Sequence, residues 1–157
     1  MSLETLNNLN PTTIEALKEL YATNVGSISF YEEAADTVDG PSVARVFRNV
    51  AKERGLLAAE LRRRLKDSGV EVEREAGTWR DTLHETWTKL RGMVNGGDRT
   101  VLLIEAERAE DRIKGCYEAL LKKAAGSPLN AVLLDEYRRV KSTHDLIRGL
   151  RDLAKAI

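Results

Sequence analysis

From Pro11 to the C-terminus, apolar residues recur at alternating spacings of three and four, broken at only a few places. That is the helical repeat, and it does not fit the two-residue alternation of a half-buried strand. The breaks coincide with prolines and glycines. Pro11 follows Asn10, Pro41 follows Asp39-Gly40, and Pro128 follows Gly126-Ser127. Proline suits the first helical position, and Asn and Ser cap helix N-termini, so each mark reads as a helix boundary. Ser42 is the expected cap after Pro41.

The spacing predicts a first helix over about 11–38. Its seam is Ile14, Leu17, Tyr21, Asn24, Ile28, Tyr31, Ala35 and Val38. A second helix is predicted over 42–68, with Val43, Phe47, Val50, Arg54, Leu57, Leu61 and Leu65 in register. Residues 69–76 have helix breakers and no clear face. A shorter helix over 78–94 aligns Trp79, Leu83, Trp87, Leu90 and Val94, and Gly96-Gly97 ends it. Asp98 then caps a helix over 99–124, with Leu102, Ala106, Ala109, Ile113, Cys116 and Leu120 on one stripe. The last helix starts near 129 and carries Leu133, Tyr137, Val140, His144, Ile147 and Ala154.

Connection lengths set the topology. The first two helices are joined by a very short turn, as are the last two, so each pair forms an antiparallel hairpin. The stretch between the pairs carries its own helix. About 17 residues at ~1.5 Å each cover ~25 Å, most of a bundle's length, so this stretch is a crossover. The expected fold is one all-α domain over 1–157: a four-helix bundle of two hairpins, with a long crossover carrying a short fifth helix. Both tryptophans are expected to staple that helix onto the bundle.

Charge excludes some partners. Lys+Arg and Asp+Glu both number 25, so no overall basic surplus attracts nucleic acid or anionic lipid. The predicted first helix is acidic and the second basic, which favours their pairing. Arg62-Arg63-Arg64 spreads around the helix and reads as a solvated face. No stretch reaches the ~20 apolar residues that span a bilayer. The first ten residues lack a basic segment followed by an apolar run, so no secretory signal is expected. One cysteine, Cys116, cannot form an internal disulfide, and it falls on an apolar stripe. These features lead to the expectation of a cytoplasmic protein without a membrane or nucleic-acid partner.

The polar members of the seams are the informative ones, because a buried seam should be apolar. Asn24, Arg54 and His144 stand on seams, and Glu110 lies one position off its stripe. Tyr31 and Tyr117 follow Asn24 and Glu110 by two turns, and Lys141 precedes His144 by one turn. All seven can fall at mid-bundle height. His84 is expected at the surface or locally satisfied.

Here the chain resembles the ferritin and rubrerythrin superfamily, whose bundle order is also two hairpins and one crossover. The resemblance implies a ligand Glu followed two turns later by Tyr on the first and third bundle helices, and Glu-x-x-His on the second and fourth. Glu110 with Tyr117 matches the third helix, and His144 matches the last histidine. Asn24 replaces the first Glu, Arg54 and Leu57 replace Glu-x-x-His, and Lys141 replaces the last Glu. Tyr31-Glu-Glu-Ala-Ala35, Ala58-Ala59-Glu60-Leu61 and His144-Asp-Leu-Ile-Arg148 resemble an uncharacterised bacterial group on this fold.

Two divalent ions need about four carboxylates for charge balance. This seam supplies Glu110 against the cations Arg54 and Lys141. The expectation is therefore a metal-free polar network built on an Arg54–Glu110 pair, with Asn24, Tyr31, Tyr117, Lys141 and His144 around it. A surviving single-metal site would use Glu110 and His144, with iron, manganese or zinc. Glu32, Glu33, Glu105, Glu107 and Glu136 are expected mostly on solvated faces, and would supply further ligands only if the helices were turned from the predicted phase. The expected protein is a non-enzymatic structural or interaction bundle, as a homo-oligomer or with a protein partner. The alternatives are a metal-binding protein with weak oxidase or storage activity, and a carrier with an interior cavity.

Overall fold

A computed structural model of the chain describes residues 3–72 and 98–156. They form four helices: α1 (Pro11–Thr37), α2 (Pro41–Asp67), α3 (Arg99–Lys123) and α4 (Asn130–Ala156). No strand occurs among the described residues, and Thr5 and Asn8 form an isolated bridge. The predicted short helix over 78–94, with both tryptophans and His84, lies outside the described residues.

Local chemistry sets the boundaries. Pro11 and Pro41 each open a helix, where the missing N–H is of no consequence. The expected Ser42 cap is not used. Gly40 takes that position with φ 143°, a backbone conformation that a side chain disfavours, and Ser42 lies inside α2. Asp98 accepts from Thr100 N at 2.9 Å and Val101 N at 3.4 Å, capping α3. At the end of α2, Gly69 adopts φ 77°. Gly69 N bonds to Lys66 O and Val70 N to Leu65 O, both at 2.9 Å, the pairing of a Schellman stop.

The hairpins α1–α2 and α3–α4 are the main packing units, and α1 also packs against α3. Tyr31 meets Ala106 and Asn24 meets Tyr117, so numbering falls on α1 as it rises on α3, and the two are antiparallel. The Arg99 side chain reaches Gly40 at one end of the bundle. Val70 and Val72 pack beside Leu9, Leu17 and Leu65 at the other. The connection between the hairpins therefore has the bundle's length to cross, as a crossover must. Among the described residues, no helix is long and apolar enough to cross a membrane.

The core divides into two apolar clusters. One gathers Leu17, Leu20, Leu57, Leu61, Leu65, Ile113, Tyr117, Leu120, Leu133 and Val140. The other gathers Phe30, Tyr31, Val43, Phe47, Val50, Leu102, Leu103, Ala106 and Ile147. Tyr31 makes an edge contact with Phe30 at 5.2 Å and a tilted one with Phe47 at 5.6 Å. On every helix, the residue between the two clusters is polar: Asn24 on α1, Arg54 on α2, Glu110 on α3 and His144 on α4.

Candidate functional site

This mid-bundle layer is the candidate site. Arg54 and Glu110 are both 0% exposed, and Arg54 Nη2 donates to Glu110 Oε1. The pair joins α2 to α3. Burial pushes the Glu110 carboxyl above the ordinary carboxylate range, and the Arg54 guanidinium and Tyr31 hydroxyl pull it back. Tyr31 donates to the Ala106 carbonyl at 3.4 Å and faces the same carboxylate. Burial first, then the Glu110 charge, hold the Tyr31 phenol far above its usual pKa, so it stays a donor.

A second chain of bonds lies one turn away. Asn24 Nδ2 donates to the Leu20 carbonyl at 2.9 Å and to the Tyr117 hydroxyl oxygen at 3.3 Å. Tyr117 donates to Glu136 Oε1 at 2.8 Å. Glu136 is 1% exposed, and burial raises its carboxyl to about 7, against the Tyr117 bond that lowers it. The expectation of a solvated Glu136 is corrected. So is that for Glu107, which is buried, with Arg148 Nε at 3.4 Å from Oε1 and Arg151 on Oε2. Glu32 and Glu33 are exposed, and Glu105 is half-buried.

Lys141 does not join the network. It is exposed on α4, one residue around from buried Val140. The inward positions of α4 are Leu133, Glu136, Val140, His144 and Ile147. The carboxylate facing the interior from α4 is therefore Glu136, five residues earlier than the expected lysine.

His144 is 2% exposed but turns to α3's edge. Its Nε2 lies 2.6 Å from Asp111 Oδ1 and its Nδ1 3.2 Å from Asp145 Oδ1. Its nearest carboxylate on α3 is thus Asp111, where the sequence pointed to Glu110. Cys116 is half-buried, and burial raises its thiol pKa, which makes it a poor nucleophile.

Arg139 is a connector the sequence reading missed. From α4 it donates to Glu53 Oε1 at 2.7 Å and Glu60 Oε1 at 3.2 Å on α2, tying the two hairpins together. A groove of about 760 Å³ opens on the outer side of α1 and α2, lined by Tyr21, Val25, Ile28, Gly55, Ala59 and Arg62 among others.

These features define an all-α four-helix bundle with a buried, hydrogen-bonded charge layer between two apolar halves. The chain belongs to the family described as Domain of unknown function (DUF2383), which matches residues 12–123. The matched stretch begins within α1 and ends with the last residue of α3. No significant match was found among curated proteins or among solved structures.

Proposed function

We propose that this chain is a non-enzymatic, ferritin-like bundle acting as a structural or interaction protein, its interior closed by an ion pair where relatives of that fold would place metal. The observation that carries this reading is the Arg54–Glu110 pair, with neither side chain exposed. A guanidinium keeps its charge at any accessible pH and would repel a metal pair at that height. Of the other buried groups, Asn24 is neutral, Glu136 accepts from Tyr117, Glu107 holds Arg148 and Arg151, and His144 turns to Asp111. The donor set thus falls short of the four carboxylates a dinuclear centre needs for charge balance.

The test is ferrous iron oxidation in air, with iron bound per chain measured after desalting. The expected result is oxidation no faster than in buffer and no tightly held iron pair. Two iron ions per chain, with fast oxidation lost in Glu110→Gln, would overturn the reading.

A further inference from the structure

We infer that the α3–α4 face carries a single site for a zinc-class divalent cation, built from Glu107, Asp111 and His144. The site shares His144 with the interior layer and does not use the Arg54–Glu110 pair. Each of the three residues offers one donor atom, and these atoms all lie within 4.8 Å of one another. Glu107 and Asp111 stand one turn apart on α3, and His144 faces them from α4. Two helices fix the donors, and two of the three side chains are buried, so the arrangement is more than a run of surface acids.

The orientation of the imidazole fits this arrangement. Both of its nitrogens face carboxylates. In the tautomer that carries its proton on Nδ1, the ring donates to Asp145 and leaves Nε2, 2.6 Å from the Asp111 oxygen, to serve as the metal ligand. A ligating histidine commonly donates its other N–H to a carboxylate, and Asp145 stands in that place.

The donor chemistry selects the ion. One imidazole nitrogen and two carboxylate oxygens suit zinc, manganese or ferrous iron better than magnesium or calcium, which prefer oxygen alone. Zinc bonds of ~2.0–2.2 Å in a tetrahedron separate the ligand atoms by roughly 3.4 Å. Asp111 would therefore withdraw by about 1 Å, which its 59% exposed side chain allows. Both Glu107 oxygens carry an arginine, so the ion takes the place of one of them; Arg148, 53% exposed and 3.4 Å from Oε1, is the one that can swing into solvent while Arg151 stays on Oε2. Three protein ligands leave the fourth position to water.

The experiment is calorimetric titration of the full chain with zinc chloride, beside the nitrogen NMR signal of the His144 ring. The chain has 2 histidines, so His144→Gln assigns that signal by its loss. The expected result is one zinc per chain, a shift of the Nε2 resonance, and affinity at least tenfold weaker in Asp111→Asn. Asp111 is exposed, so that variant keeps its fold, as circular dichroism would check. The Arg54→Leu/Glu110→Leu double variant is expected to bind zinc as the parent does. No zinc uptake, or unchanged affinity in Asp111→Asn, would overturn the inference. Loss of zinc in the interior double variant with retention in Asp111→Asn would also overturn it, by placing the ion in the interior.

Discussion

Removing the Glu110 carboxylate should be among the most damaging single changes to this fold. In Glu110→Leu the Arg54 guanidinium keeps its charge, keeps 0% exposure and loses the carboxylate that, among the described residues, it hydrogen-bonds. Among the described residues, Arg54 Nε and Nη1 have no hydrogen-bond partner, so two of its three nitrogens are unsatisfied before the change. Stranding one member of a buried pair costs ~3–5 kcal/mol, against a total of ~5–15 kcal/mol for a typical domain. Arg54→Leu should cost less. The carboxyl it strands can take up a proton, and burial already pushes it in that direction. The double variant, Arg54→Leu with Glu110→Leu, replaces both charges by groups that match the flanking apolar clusters. It should be neutral or stabilising by about 1 kcal/mol or more.

The assay is urea unfolding of the four proteins, followed by circular dichroism and compared at unchanged slope. The expected coupling between the two positions is ~3 kcal/mol or larger. Equal costs for Glu110→Leu and the double variant would refute the pairing. A larger cost for Arg54→Leu than for Glu110→Leu would refute the argument that the carboxyl escapes by protonation.

The cap of α3 and the second polar chain give two further tests. Asp98→Ala removes the acceptor of two helix N–H groups and should cost about 1 kcal/mol, read as a lower urea midpoint. Glu136→Gln should flatten the pH profile of stability. The Glu136 carboxyl is raised from 4.5 to about 7, so its protonated form favours the folded state. Its contribution is whole below about pH 4.5 and is lost as pH rises through about 7, by on the order of 3 kcal/mol. Glutamine keeps the acceptor for Tyr117 and cannot ionise, so the variant should gain on the parent most above pH 7. Parallel profiles for variant and parent would refute this assignment.

The bundle was legible because helix period and turn length are local properties. Pro41 and Gly126-Ser127 leave no room between paired helices for anything but antiparallel packing. The inward places of Asn24 and Arg54 follow from the same period; Glu110 was expected one position off the stripe of α3, and it is buried where Ala109 and Cys116 are only half-buried. The α4 face was harder, because Tyr137 and Glu136 are neighbours only 100° apart and an apolar seam naturally selects the tyrosine. What turns Glu136 inward is the Tyr117 hydroxyl on α3, a partner that α4's own sequence does not contain. The same holds for Glu107, buried beneath Arg148 and Arg151, and for Arg139, whose partners sit on α2. Lys141 was misplaced by aligning it with a motif position while its helix turned it to solvent. Asp111 was passed over because an exposed acid on a polar face gives no sequence signal. Only the packing of α3 against α4 sets it beside His144.

The position of the charge layer suggests what it does for the fold. The apolar clusters on either side are built from leucine, valine, alanine and phenylalanine, which repack with modest loss when helices slide. A slide of one turn, ~5.4 Å, moves one leucine row onto another at little cost. The same slide would carry Arg54 past Glu110 and Asn24 past Tyr117, leaving a bare guanidinium and unpaired amides in an apolar interior. The layer therefore penalises wrong registers more than it strengthens the right one, the role best supported for buried polar groups. It links α2 to α3 and α1 to α3, across the two hairpins, where the crossover leaves register least constrained by turn geometry. Within α3–α4, where a short turn already sets register, the buried histidine is not needed for that purpose. His144 is thus free to face Asp111 and Glu107, and that is where a cation would bind without disturbing the interior pair.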